Sequence, residues 1–191
     1  MQEKDTPRAL ILISASPLKH PALLQYLQKR KIDTDIATKY LSQIDFKAPQ
    51  GAGDTFALGY LAGEGLEARI ALFKGFVGIG KDVTFHKGTN QTKLMIFKGF
   101  TDFLSYLTMK NLTEPDGDTL VLNSTALKTR ALPYIENPQY QEIQLFLDDD
   151  GPGNICTAYF LGVAKTANIA DMQTHYPKYN DLNEWHCDRS Q

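Results

Sequence analysis

The stretch that most constrains this chain is Asp148-Asp149-Asp150-Gly151-Pro152-Gly153. It follows Ile143–Leu147, an apolar run whose only polar member is Gln144, and it leads into Cys156–Val163. A short apolar run, an acidic tip, a glycine-rich turn and a longer apolar segment read as a strand feeding a helix. In an open α/β sheet, ligands gather outside the carboxyl ends of such strands. Carboxylates crowded there are costly unless water or a cation neutralises them. Magnesium, which prefers hard oxygen ligands, is the natural cation. A solvated acidic turn accounts for the same residues.

The chain around that tip alternates. Lys93–Phe97, Thr119–Leu122 and Glu142–Leu147 read as strands. A helix starting at Thr101 or Asp102 runs to about Lys110 with Phe103, Leu104 and Leu107 as its apolar stripe. Thr125–Leu132 reads as a short helix or turn, and Asn154–Lys165 as a helix. Strand–helix alternation predicts an α/β fold, a central mostly parallel sheet with flanking helices. Thr174–Asn180 reads as a loop and Asp181–Trp185 as the start of a helix.

The front half is patterned differently. Arg8–Ser14 reads as a strand or linker. A helical signal starts at Pro17 and closes on Lys29-Arg30-Lys31, and a second starts at Asp33 or Thr34, with Ile36, Ala37, Tyr40 and Leu41 facing inward. Ile44–Lys47, Thr55–Tyr60 and Leu66–Phe73 read as strands, the last two joined as a hairpin. Gly75–Lys81, with its glycines, reads as a loop, and Val83–Phe85 as a further strand. The expected division is a small α+β subdomain over 1–90 and an α/β domain over 91–191.

Composition excludes several classes. No apolar run approaches the ~20 residues that span a membrane. Two cysteines, Cys156 and Cys187, form neither a disulfide framework nor a zinc pattern, so no zinc is expected and the expected setting is reducing and cytoplasmic. Residues 1–100 carry 14 Lys and Arg against 9 Asp and Glu, while residues 101–191 carry 6 against 13. A basic front and an acidic rear suit a protein that holds a polyanion on one side and cations on the other.

Gly51-Ala52-Gly53-Asp54-Thr55-Phe56 is similar to the phosphate-facing motif of ribokinase-like sugar kinases, but its context is wrong. Too little chain precedes it for a substrate-binding body, and the segment after it reads as strands. A loop leading into a strand is the better reading.

A second resemblance covers far more of the chain. Ile96-Phe97-Lys98-Gly99-Phe100-Thr101-Asp102-Phe103-Leu104 resembles the first toprim motif, and Asp148, Asp150 and Gly153 match the toprim DxDxxG pattern. Toprim domains occur in bacterial primases, topoisomerases and related nucleases. The pattern over residues 17–186 is most similar to primase-like proteins of bacterial mobile elements, especially in Bacteroides-type bacteria. The resemblance extends to Phe56–Tyr60, Arg69 to Gly75, Lys81-Asp82 and Tyr179–Trp185. It implies a toprim fold preceded by a small primase-like subdomain. It implies a DNA primase-like protein that synthesises RNA primers on single-stranded DNA for plasmid or mobile-element replication, a metal-dependent nucleotidyltransferase. Asp148 and Asp150 would hold Mg2+ or Mn2+. Arg69, Lys74 and Lys81 would contact nucleic acid or nucleoside triphosphate, and Asp102, Gly99, Gly153 and Asp181 would support the site. A replicative helicase or other replication proteins of the element would be partners. No cysteine precedes Cys156, so the zinc-binding module of such primases is not expected here, and the C-terminus reads as shortened after Glu184.

One position departs from the pattern. Lys98 stands where the first toprim motif carries glutamate. A protonated amine cannot ligate magnesium, and neighbouring aspartates favour its charged form. The expected arrangement is an ammonium paired with Asp148 or Asp150, or one contacting a phosphate. The alternative to an enzyme is a non-catalytic nucleic-acid-binding or protein-docking module on a toprim scaffold.

Overall fold

The computed structural model describes residues 10–47, 55–164 and 167–189, so Gly51–Asp54 of the rejected kinase-like motif lie outside the described residues. The chain divides into two compact units, one of residues 1–26 and 38–81 and another of residues 27–37 and 82–191.

The first unit is an antiparallel meander. It contains β1 (Ile11–Ser16), most of α1 (Pro21–Lys29), and, past α2 (Thr34–Ala37) of the other unit, β2 (Leu41–Lys47), β3 (Thr55–Ala62), β4 (Gly65–Ile70) and β5 (Phe73–Gly78). The strands pair in sequence order, and a bridge from Leu10 to Val77 brings the first and last together. Its core is Ile44, Phe46, Ala57, Ala68 and Val77, with Phe73 stacked on Phe46 at 5.2 Å.

Three sequence expectations change here. The first helix starts at Pro21, not Pro17. Leu41 opens a strand instead of closing a helix. Gly75–Lys81 is mostly strand, because β4 and β5 turn at Ala71-Leu72 and β5 runs to Gly78. Gly75 within it and Gly65 on the neighbouring β4 make room for aromatic rings: a Cβ on Gly65 would meet the Phe76 ring at 2.5 Å, and one on Gly75 the Phe73 ring at 2.6 Å. Glycine in a strand marks such a close approach as readily as it marks a loop.

The second unit is the α/β layer structure. It contains the end of α1, then α2, β6 (Thr84–His86), β7 (Asn90–Phe97), α3 (Phe100–Lys110), β8 (Gly117–Val121), a 3-10 turn (Thr125–Ala131), α4 (Leu132–Ile135), β9 (Glu142–Phe146), α5 (Gly151–Val163), β10 (Asn168–Asp171), a second 3-10 turn (Met172–His175) and α6 (Leu182–Arg189). The sheet order is β10-β9-β7-β8-β6, parallel except for the edge strand β6. The C-terminal half of central β7, Leu94 to Phe97, is buried on both faces, as a parallel strand covered by helices must be. Leu94 and Ile96 join Ile143, Leu145 and Phe160 on one side. Phe97 packs on the other, against Phe103 of α3 and, at 4.5 Å, Phe146 of β9. Phe103, Leu104 and Leu107 are core, as the apolar stripe implied, and Phe97 and Phe100 are buried with them.

Burial has one pH-dependent consequence in this unit. His86 stacks on Phe103 at 5.0 Å, and burial lowers its pKa to about 4. The unfolded chain takes up a proton near pH 6.5 and the folded chain does not, so stability falls as pH drops through that window. Between pH 7.5 and 5.0 the expected loss is roughly 2 kcal/mol. Urea unfolding of His86→Phe at the two pH values should show that slope flattened; an unchanged slope would assign it to other groups.

Candidate functional site

Strand order reverses about β7: β8 adds on one side, then the chain crosses back and adds β9 and β10 on the other. Ligands in open α/β sheets bind in the crevice at such a reversal, beyond the carboxyl ends of the strands. Lys98 leaves β7 and Asp148 leaves β9 at this place. The two strand ends are locked in register, with Phe97 opposite Phe146 and the Lys98 amide donating to the Phe146 carbonyl at 3.1 Å.

The Lys98 ammonium donates to Asp148 Oδ2 in an ion pair, and the Asp148 side chain is buried. Burial works against the charge on Lys98, but the hydrogen bond and charge of Asp148, with Asp102 and Asp150 behind it, hold its pKa above the ordinary amine value. Asp148 is itself pushed up, first by burial and then by Asp181 and Asp150, with Lys98 opposing.

The neighbouring acids are spoken for in different ways. Asp149 is exposed and turned outward, its Oδ1 accepting from Asn154 and its amide donating to the Asn180 carbonyl at 2.7 Å. Asp150 caps α5, with Oδ1 accepting the Gly153 amide at 2.7 Å. Asp102, in the first turn of α3, is buried and accepts the Asn183 amide at 3.2 Å. Burial, then the charges of Asp181 and Asp148, raise its pKa well above the ordinary carboxylate value. Asp181 accepts the Glu184 amide at the start of α6. Asp102, Asp148, Asp150, Asp181 and Lys98 thus share one sheet edge.

Two glycines of this edge differ. A Cβ on Gly153 would sit 1.9 Å from the Asp148 carbonyl oxygen, whereas one on Gly99 would meet nothing closer than 3.8 Å. The DxDxxG glycine is therefore required by backbone approach, and the glycine after Lys98 is not.

Asn183 was not singled out from the sequence, yet it ties this edge together. Its side chain accepts from Arg30, and donates to the Arg30 carbonyl and to Ser105. Its contacts span from 78 to 153 residues of chain, beyond the reach of any local pattern. Lesser candidates resolve as structural. Asn123 donates to the Asp82 carbonyl and Thr84, and Ser124 caps the turn after it. His186 meets the Lys31 carbonyl at 2.8 Å.

The predicted polyanion contacts lie in the first unit. Arg69 and Lys74 are register partners on β4 and β5, like charges directly opposite each other. Lys81 is ion-paired with the buried Glu67 and lies 5.8 Å over the Phe76 ring.

The match to known families divides the chain similarly. Residues 95–186 match the family described as Toprim-like. The second unit carries a toprim-like domain. Residues 12–78 match a domain of unknown function, DUF8464. The primase fragment of the bacteriophage T7 primase-helicase protein superposes with a TM-score of 0.65 at 14% identity, covering 85% of this chain and 69% of that one. Primase domains seen with the bacteriophage T7 lagging-strand DNA polymerase, bound to an RNA/DNA hybrid and dTTP, give 0.56 at 15% identity, covering 93% and 87%. At that identity the likeness is one of fold: a toprim domain with an antiparallel-sheet subdomain before it. No curated protein matches. No described helix is long and apolar enough to cross a membrane.

A toprim domain raises the question of a divalent ion, and the donors present do not suit one. The Asp148 carboxylate is engaged by an ammonium, Asp150 by a helix N-terminus, and buried Asp102 by the Asn183 amide. Among the described residues no three carboxyl, histidine or cysteine groups converge as a ligand set.

Proposed function

We propose that this is a primase-like toprim protein that engages single-stranded DNA in replication of a plasmid or other mobile element, with a catalytic centre converted into an internal ion pair. The observation that carries this reading is the Lys98 ammonium on Asp148, where the toprim pattern has a third carboxylate. An ammonium there supplies positive charge without an exchangeable coordination site, so the edge can attract phosphate but cannot assemble the donor set for a metal ion.

In this reading the first unit supplies the polyanion contacts. Arg69 and Lys74 face each other across the β4–β5 ladder, so a phosphate beside that pair would meet two cations. Such contacts hold a backbone without reading bases. The neighbour bound to an RNA/DNA hybrid and dTTP supports nucleic acid and nucleoside triphosphates as ligands, and the primase-helicase neighbour supports a replicative helicase as a partner. A host among Bacteroides-type bacteria and a cytoplasmic location belong to the same proposal.

A second reading, primer synthesis by the unaltered chain, draws on the retained pair Asp148 and Asp150. Calorimetric titration with Mn2+ separates the two. The unaltered protein should show no saturable site, Lys98→Glu should gain one, and Asp148→Asn should remove it again. Primer synthesis by the unaltered chain, or a saturable site in it, would sink the degenerate-centre reading. For DNA binding, each phosphate contact contributes a slope of about 0.7 in log K against log salt on single strands. Arg69→Ala with Lys74→Ala should therefore flatten that slope by about 1.4. An unchanged slope would remove these residues from the interface.

A further inference from the structure

Beneath α3 and α6, on the sheet face opposite the Leu94–Phe160 core, lies a cavity of about 350 Å³. Its lining includes Lys93, Gln144 and Phe146 from β7 and β9, with Tyr106 from α3, Tyr176, and Trp185 from α6. Lys93 precedes Lys98 by five residues of strand, roughly 16 Å, so the Lys93 end of the cavity lies away from the acidic edge, whereas Tyr176 feels the charges of Asp102, Asp171, Asp181 and Asp148.

The walls are aromatic and ordered. Tyr176 and Trp185 stack at 5.4 Å with 18° between their planes, and Phe146 and Tyr106 meet edge to face at 5.4 Å. Tyr176 is buried, and its hydroxyl has no hydrogen-bond partner among the described residues. The rim is cationic. Lys93 is held against Asp116 at 3.4 Å, while Lys110 and Arg189 are exposed, the Arg189 guanidinium lying 4.9 Å over Trp185. Against these three cations the cavity offers one carboxylate, Asp116.

Flat aromatic walls suit a flat ring, since stacking on protein aromatics is tolerant of ring identity. Surplus cations at the mouth suit an anionic substituent on that ring. The volume falls within the range of small-molecule sites. We propose that this cavity binds one nucleotide unit, with its base against the Tyr176–Trp185 and Tyr106–Phe146 walls and its phosphate at Lys110 and Arg189. The source is either a free nucleotide or one base of a single strand. The inference does not rest on the state of Lys98 or on the contacts of the first unit; it adds a separate nucleotide site to the primase-like reading.

Trp185 is the only tryptophan in the chain, so the fluorescence signal comes from a wall of this cavity. The full-length protein is titrated with dTMP, with AMP and with oligo(dT). Saturable quenching by a mononucleotide identifies a free nucleotide, and quenching by oligo(dT) alone identifies a strand base. Lys110→Glu with Arg189→Glu, both exposed, should weaken binding on the order of tenfold or more. Lys87→Glu, a charge reversal at an exposed residue that does not line the cavity, should leave the titration unchanged. No saturable change with any of the three probes would overturn the proposal, as would a response unmoved by the double charge reversal.

Discussion

Gly153→Ala is expected to cost more stability than any other single substitution at the acidic edge, about 4 kcal/mol or more, and to unfold the second unit at moderate temperature. A Cβ there would lie 1.9 Å from the Asp148 carbonyl oxygen and 2.9 Å from its carbon. Both are backbone atoms, so no side-chain rotation relieves the clash. Relief requires the loop to move off the helix, which breaks the Asp150 cap and shifts Asp148 away from Lys98. Losses of this size come from such forced backbone rearrangements. Gly151→Ala, two residues earlier in the same turn, meets nothing within 4 Å and serves as the control. It should be neutral or slightly stabilising, because alanine suits a helix better than glycine. Thermal unfolding of the two variants checks the contrast; equal melting temperatures would show that the loop does not rest on α5.

Lys98→Met comes second. It removes the partner of a buried carboxylate, and breaking such a pair on one side costs several kcal/mol. With Lys98 a quarter exposed, roughly 2–3 kcal/mol is expected at neutral pH. The penalty has a sign in pH. Asp148 already sits above its ordinary pKa because of burial, then Asp181 and Asp150, and loses the one group that opposed them. A carboxyl whose folded pKa is raised destabilises the fold only above its unfolded pKa, so the variant should approach the unaltered protein as pH falls toward 4. Lys98→Met with Asp148→Asn should recover most of the loss, since the charge that lacked a partner is gone. Denaturant unfolding of the two single variants and the double variant at pH 7.5 and 4.5 measures the coupling. Additive losses would mean that the ion pair carries no stability.

Much of this edge was legible in the sequence because it is local. The alternation from Lys93 onward, the acidic tip after Leu147 and the lysine after Phe97 are all visible in short windows. That the Lys98 charge pairs with the acidic tip followed from elementary electrostatics, but choosing Asp148 over Asp150 required the structure, since capping of α5 engages Asp150. What stayed hidden depends on distant chain. Nothing near Asp102 announces that its carboxylate accepts an amide 81 residues away. Tyr176 and Trp185, in a segment that reads as loop and helix start, form a wall only because the chain after β10 folds back under α3. The β5 strand was obscured for another reason: its Gly75 answers to the ring of Phe73, which strand propensity does not encode.

The two units are interleaved along the chain, and that has a consequence for dissecting the protein. Residues 27–37 belong with the toprim-like half although more than 40 residues of the other unit follow them before residue 82. Leu27, Ile32, Ile36 and Ala37 are buried there, and Arg30 and Lys31 bind Asn183 and His186 of α6. A cassette cut at residue 82 would leave those pockets empty and α6 without its polar anchors. Moving the toprim-like half into another protein would therefore require carrying residues 27–37 with it, as a covalent extension or as a separately added peptide.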